Sequence, residues 1–118
     1  MYTFLFCSKK KAKGKNPLMI VFNETIKIDE TIHLEWLAWM KEVQLPNVMA
    51  TGKFTEHRIC RLLHDDEDGG VTYAIQYYSP DMETFQQYQQ EYAAQLQRSH
   101  MERYKDRYVA FRTLMEMV

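Results

Sequence analysis

His64-Asp65-Asp66-Glu67-Asp68-Gly69-Gly70 is an acidic stretch that lies between two runs of alternating residues, 55–63 and 71–78. Such alternation is typical of half-buried strands, and the short polar segment between the runs predicts a hairpin turn. Outside each predicted strand the chain continues into a helix and then into another strand. The resulting β-α-β-turn-β-α-β order predicts a ferredoxin-like α+β fold, with a four-stranded antiparallel sheet and two helices on one face.

The predicted elements follow from apolar spacing and from capping residues. We expect a first strand over 19–28, and then a helix capped by Asp29 that ends before Pro46, because a residue that precedes proline is disfavoured in a helix. Ser79 followed by Pro80 predicts the start of the second helix, which should run to about residue 104 with a kink near Ser99. The last strand is expected over 106–117, and strands one and three are expected at the centre of the sheet.

Charge divides the chain of 118 residues into two parts. Five of its 15 basic residues fall in residues 1–18, and all 16 acidic residues fall in 19–118, so the second part carries a formal charge of −6. We interpret 1–18 as a basic, disordered extension and 19–118 as one domain. A domain with this negative charge is not expected to bind nucleic acid, because the phosphate backbone is also negative. The lysines of the extension, in contrast, could bind an anionic surface. No apolar run has the length of a membrane span.

The sequence contains no motif for a metal or a cofactor. Cys7 and Cys60 do not make a disulfide framework, no secretory signal precedes them, and a cytoplasmic location is therefore favoured. The four histidines have no metal-ligand spacing, and the acidic turn lacks the alternating ligands of a calcium loop. We predict neither a metal site nor a cofactor, since phosphate-binding and haem-attachment motifs are also missing.

The face of the predicted sheet that the helices leave open carries an unusual set of residues. Asn23, Thr25, Thr72 and Gln76 are too polar for a core and too small and neutral for an ordinary solvated surface. The edge strand over 108–118 contains only Arg112 and Glu116 as charged residues. An exposed apolar edge promotes aggregation unless a partner covers it. We therefore expect a homodimer in which two sheets meet face to face.

Residues 19–118 resemble a family of short, uncharacterised bacterial proteins known as domain of unknown function 4286. The resemblance is carried by Met-Ile-Val-Phe-Asn-Glu-Thr (19–25), Trp36-Leu37-Ala38-Trp39-Met40-Lys41, Pro46-Asn47-Val48-Met49-Ala50-Thr51-Gly52-Lys53-Phe54, Val71-Thr72-Tyr73-Ala74-Ile75-Gln76-Tyr77 and Val109-Ala110-Phe111-Arg112-Thr113-Leu114-Met115-Glu116. It implies a dimeric α/β-barrel and a homodimer. It implies no activity.

Two hypotheses on function stay open at this point. In the first, the protein is a small-ligand-binding or structural homodimer, in which Asn23, Thr25, Thr72 and Gln76 either orient a ligand between the sheets or form a hydrogen-bonded layer that sets the dimer register. In the alternative, it is a cofactor-independent monooxygenase-like or isomerase-like enzyme with a site in the barrel cleft. His57, as a base, and Arg112, as a carboxylate ligand or an interface ion-pair partner, complete the candidate residues.

Overall fold

The fold is described by a computed structural model, which covers residues 18–63 and 68–118. The predictions for the basic extension, apart from Leu18, and for residues 64–67 of the acidic turn lie outside these residues. The strands are β1 (Ile20–Asp29), β2 (Glu56–Arg61), β3 (Gly70–Ser79) and β4 (Tyr108–Glu116). All neighbouring strands are antiparallel and their order is β2-β3-β1-β4, which confirms the ferredoxin-like topology with β1 and β3 at the centre.

The first helical segment passes through Pro46 and does not end before it. It consists of α1 (His33–Trp39), a π-helical turn (Met40–Gln44) and α2 (Leu45–Met49). The prediction was wrong because Pro46 lies in the first turn of α2, directly after the wider π turn, where its missing N–H is not required. Asp29 is not the helix cap either: it ends β1, and its carboxylate accepts hydrogen bonds from the backbone N–H and hydroxyl of Thr31.

The second helical segment also differs at its start from the sequence prediction. It consists of α3 (Met82–Tyr88), a π-helical turn (Gln89–Ala93) and α4 (Ala94–Tyr104). The cap is Asp81, whose carboxylate accepts a hydrogen bond from the backbone N–H of Thr84 at 2.7 Å. Ser79 instead ends β3, where its buried hydroxyl donates to the Lys53 carbonyl at 3.0 Å. The segment ends at residue 104 as predicted, but its irregularity is the π turn and not a kink at residue 99.

The core lies between the helices and one face of the sheet. Alternate residues of β1 and β3 point into it, and aromatic rings from both helical segments pack on them. Trp36 of α1 lies 5.1 Å from Tyr73 between ring centroids, and Phe85 of α3 lies 5.2 Å from Phe22. Both helical segments therefore cover the same face, and no helix within residues 18–63 and 68–118 lies over the second face.

Candidate functional site

The polar residues predicted to share the uncovered face of the sheet do lie together there. Asn23 of β1 is directly opposite Gln76 of β3, and Thr25 and Thr72 belong to the same alternation. The Asn23 side-chain amide donates to the Thr25 hydroxyl at 3.0 Å, and the Tyr78 hydroxyl donates to the Gln76 carbonyl oxygen at 3.1 Å. These residues form the centre of what we call the open face.

β4 adds an apolar border to the open face. Because its register places Phe111 opposite Thr25 and Thr113 opposite Asn23, the odd-numbered residues of β4 point to this side. Val109 is 61% exposed, Phe111 is 70% exposed, and Met115 is also exposed. Large apolar side chains grouped on one surface are typical of a site that another molecule covers.

Asn23 has an unsatisfied acceptor at the centre of the open face. The residue is buried, and its Oδ1 atom has no hydrogen-bond partner among the described residues. A buried polar atom without a partner destabilises a protein by about 1–3 kcal/mol. A donor from a second molecule packed on this face would remove that penalty.

His57 and Arg112 do not join the polar residues of the open face. His57 lies opposite Tyr77 and Arg112 lies opposite Glu24, so both point to the side of the helices. His57 is exposed on edge strand β2, whereas Arg112 donates from Nε to the Glu24 carboxylate at 2.9 Å. The six candidate residues are thus divided by the sheet, and Arg112 has the acidic partner within its own chain.

Glu24 is the centre of a polar cluster on the helix side. Its side chain is 13% exposed, and burial raises the pKa of its carboxyl group while Arg112 opposes that increase. Burial, followed by the charge of Glu24, also raises the pKa values of Tyr77 and Tyr88. The Tyr77 hydroxyl has no hydrogen-bond partner among the described residues. Burial thus disfavours the ionised form of each of these three acids, and only for Glu24 does an ion pair with Arg112 directly oppose that effect.

His100 of α4 lies beside this cluster. Its ring is buried, its Nε2 accepts a hydrogen bond from the Trp36 indole at 2.8 Å, and its centroid lies 4.2 Å from that of Tyr108. Burial and the charge of Arg112 lower the pKa of His100 to about 4. A neutral imidazole in this position joins α1, α4 and β4. Among the four histidines, nothing in the local sequence distinguishes it.

A cavity of about 190 Å³ lies between the second helical segment and β4. Its lining combines aromatic and aliphatic side chains with amides and one guanidinium group. The residues that line it are Phe22, Phe85, Tyr88, Gln89, Ala93, Gln97, Arg112, Thr113 and Leu114. Of these, Arg112 is the only residue selected from the sequence, because the cavity depends on the helix-to-strand packing.

A wider cleft of about 410 Å³ lies at the end of the sheet where β1, β3 and β4 meet their loops. Four of its charged side chains form two ion pairs: Lys27 lies 2.6 Å from Asp68, and Arg107 lies 3.0 Å from Asp29. Hydrogen bonds from Lys27 and Thr31 lower the pKa values of Asp68 and Asp29, respectively. Arg107 uses both Nε and a terminal nitrogen in its contacts with Asp29 and Thr31, whereas Arg112 of the smaller cavity uses only Nε, so the cleft is the weaker candidate.

Residues 18–63 and 68–118 contain no group of three His, Cys, Asp or Glu side chains that could hold a metal ion. In the same part of the chain, Cys60 is a free, exposed cysteine on β2. None of the described helices has the length and apolar character needed to cross a membrane.

The chain belongs to the family described as "Domain of unknown function (DUF4286)", whose model matches residues 19–118. In structure it is similar to a dimeric ferredoxin-like protein from an uncultured marine organism. The two share 7% sequence identity with a TM-score of 0.61, over 86% of this chain and 96% of the other. This likeness supports the ferredoxin-like fold. Among curated proteins, none matches this chain.

Proposed function

We propose that this protein is a homodimeric, small-ligand-binding protein of the cytoplasm, whose two protomers pack open face against open face as a dimeric α/β barrel. The observation that carries the dimer is the exposed apolar border on β4, headed by Phe111. A structural neighbour described as dimeric is consistent with the proposed dimer. The low cysteine content is consistent with the proposed cytoplasmic location.

The open face has the dimensions that a stable interface requires. β1 and β3 have 10 residues each. β2 has 6 residues and β4 has 9, so at about 3.3 Å per residue and about 4.8 Å between strands the face covers roughly 550 Å² in projection. Protruding side chains increase its accessible area, and a standard interface buries about 800 Å² on each partner. A second copy of this chain is therefore a sufficient cover.

The polar centre of the open face gives the proposed dimer a place for a ligand. Asn23 and Gln76 lie opposite each other on β1 and β3, and the Oδ1 atom of Asn23 accepts no hydrogen bond from any described residue. A small molecule between the sheets could supply a donor, and so could a side chain of the second protomer. Native mass spectrometry of the purified dimer distinguishes a bound small molecule from a side chain of the second protomer. Only a bound molecule adds mass to the dimer, and that added mass should be lost in an Asn23→Ala variant.

The dimer is tested by sedimentation velocity on two matched variants. Phe111 on the open face and Leu34 on α1 are both 70% exposed, so replacement by aspartate changes equally solvated side chains. Phe111→Asp places a charge in both halves of a symmetric interface and should raise the dissociation constant by about 100-fold or more. Leu34→Asp should sediment like the wild type. A wild-type monomer at micromolar concentration, or equal effects of the two variants, would refute the arrangement.

One observation favours the enzymatic alternative, a cofactor-independent monooxygenase-like or isomerase-like activity. A buried carboxyl group whose pKa is raised by burial, Glu24, lies beside the cavity that Arg112 lines, and perturbed carboxyl groups are candidates for proton transfer. Loss of turnover in Glu24→Gln, with folding retained, is the result that this alternative requires.

A further inference from the structure

The cavity between the second helical segment and β4 is aromatic on one side. The rings of Phe22, Phe85 and Tyr88 contact one another there, with centroid distances of 5.2 Å for Phe22–Phe85 and 6.2 Å for Phe85–Tyr88. Its volume is about 190 Å³. An apolar protein cavity of about 150 Å³ accommodates benzene, so this one has room for a ring with a small substituent.

The π turn of the second helical segment forms another wall. Gln89 and Ala93 are the first and last residues of that turn, and both line the cavity. A π turn widens a helix locally and occurs frequently at functional sites. Because the residue that closes the turn is alanine, no large side chain fills the space beneath it. The space beneath the π turn is therefore a result of the helix geometry.

Arg112 supplies a cation at the mouth of the cavity. Its Nε donates to Glu24, and its two terminal nitrogens donate no hydrogen bond to any described residue. Its side chain is 37% exposed, so a ligand can approach it. Guanidinium groups bind carboxylates through two parallel hydrogen bonds, and the contact with Glu24 holds this one in position. Gln89 and Gln97 add amide groups on the helix side.

We propose that this cavity binds a small aromatic carboxylate, with its ring against Phe22, Phe85 and Tyr88 and its carboxylate on the terminal nitrogens of Arg112. The site lies on the helix side of the sheet, opposite the open face. Apart from Thr113, which pairs with Asn23, its lining residues do not belong to the open face or to the polar centre of that face.

The test compares benzoate with benzamide, a neutral molecule of nearly the same shape, by amide NMR titration of the full chain. Benzoate should give saturable shifts centred on Gln89, Ala93, Gln97 and Leu114 and should bind at least about 10-fold more tightly than benzamide, since hydrogen bonds to a charged group are the stronger ones. Equal affinities, or shifts centred elsewhere, would overturn the proposal.

Three variants separate the parts of the site. Ala93→Leu fills the cavity without touching the ion pair and should abolish binding of both probes. Arg112→Gln should weaken benzoate by about 10- to 100-fold and leave benzamide unchanged. Arg98→Gln, which removes an exposed arginine of α4, is the matched control and should bind like the wild type. Unchanged benzoate binding in Ala93→Leu contradicts the site even if Arg112→Gln fails to fold.

The proposal is also independent of the dimer. A monomeric Phe111→Asp variant keeps every residue that lines the cavity and should still bind benzoate. Loss of the dimer with retained binding would leave both proposals standing. If the wild-type protein is a dimer but does not bind benzoate, only the cavity proposal is refuted.

Discussion

Protonation of His100 should weaken the fold strongly. Its imidazole is 4% exposed and accepts a hydrogen bond from the indole N–H of Trp36 at Nε2. An indole N–H can only donate, so the neutral ring carries its hydrogen on Nδ1. The imidazolium form has a hydrogen on both nitrogens and cannot accept that bond. It would also place a second positive charge near Arg112.

The magnitude follows from the difference in the pKa of His100 between the folded and unfolded states. Burial, and then the charge of Arg112, lower it from 6.5 to about 4. Between these values the unfolded chain binds more protons than the folded protein. The contribution of His100 to the free energy of unfolding therefore has its full value above pH 6.5 and declines as the pH falls toward 4. The complete difference corresponds to about 3 kcal/mol, a large part of the stability of a small domain.

Urea unfolding at fixed protein concentration, followed by circular dichroism from pH 7.5 to pH 4.5, measures this decline. The His100→Gln variant does not titrate at this position and keeps an acceptor for Trp36, so its free energy of unfolding should fall less with pH than that of the wild type. His57→Gln removes an exposed imidazole of β2 and should follow the wild type. If His100→Gln and the wild type decline in parallel, the reasoning on burial of this ring is wrong.

Two further predictions concern the polar cluster on the helix side. Burial raises the pKa of Glu24 above 4.5, so the wild type loses stability as the pH rises through the folded-state pKa. Glu24→Gln does not titrate at this position. Its free energy of unfolding minus that of the wild type should therefore be greater at pH 8 than at pH 4. A difference independent of pH in urea unfolding would contradict this. Tyr77→Phe removes a buried hydroxyl that has no partner among the described residues, and it should leave stability unchanged or raise it by about 1 kcal/mol. Tyr104→Phe breaks a hydrogen bond to Glu35 and should lower stability by about 1 kcal/mol. Equal losses in thermal unfolding would argue against the unpaired state of Tyr77.

The sheet could be predicted from sequence because its central strands are buried on one face and half-buried on the other. On β3, the alternation of Tyr73, Ile75 and Tyr77 with smaller residues is a direct result of that environment. The helix ends were less predictable, since they depend on local competition. Pro46 usually terminates a helix, but a preceding π turn removes the conflict, and that turn has no recognised sequence signal.

The candidate site was predicted only in part, because register decides which strand residues meet. Glu24 is an acid on an otherwise apolar strand face, and Arg112 is a cation in an apolar strand. Their contact joins residues 88 positions apart and requires β4 to pair with β1 in one particular register. A shift by one residue would turn Arg112 to the open face. The sequence pattern alone does not determine which of these registers forms.

The alternation along β4 connects the two proposals and also keeps them separable. Phe111 and Arg112 are adjacent in sequence and point to opposite faces of the sheet, the first to the open face and the second to the cavity. An edge strand that is covered on one side by a partner can present a binding group on the other without competition between the two. Substitution of Phe111 should therefore change the assembly and leave the cavity intact. Substitution of Arg112 should change ligand binding and leave the assembly intact.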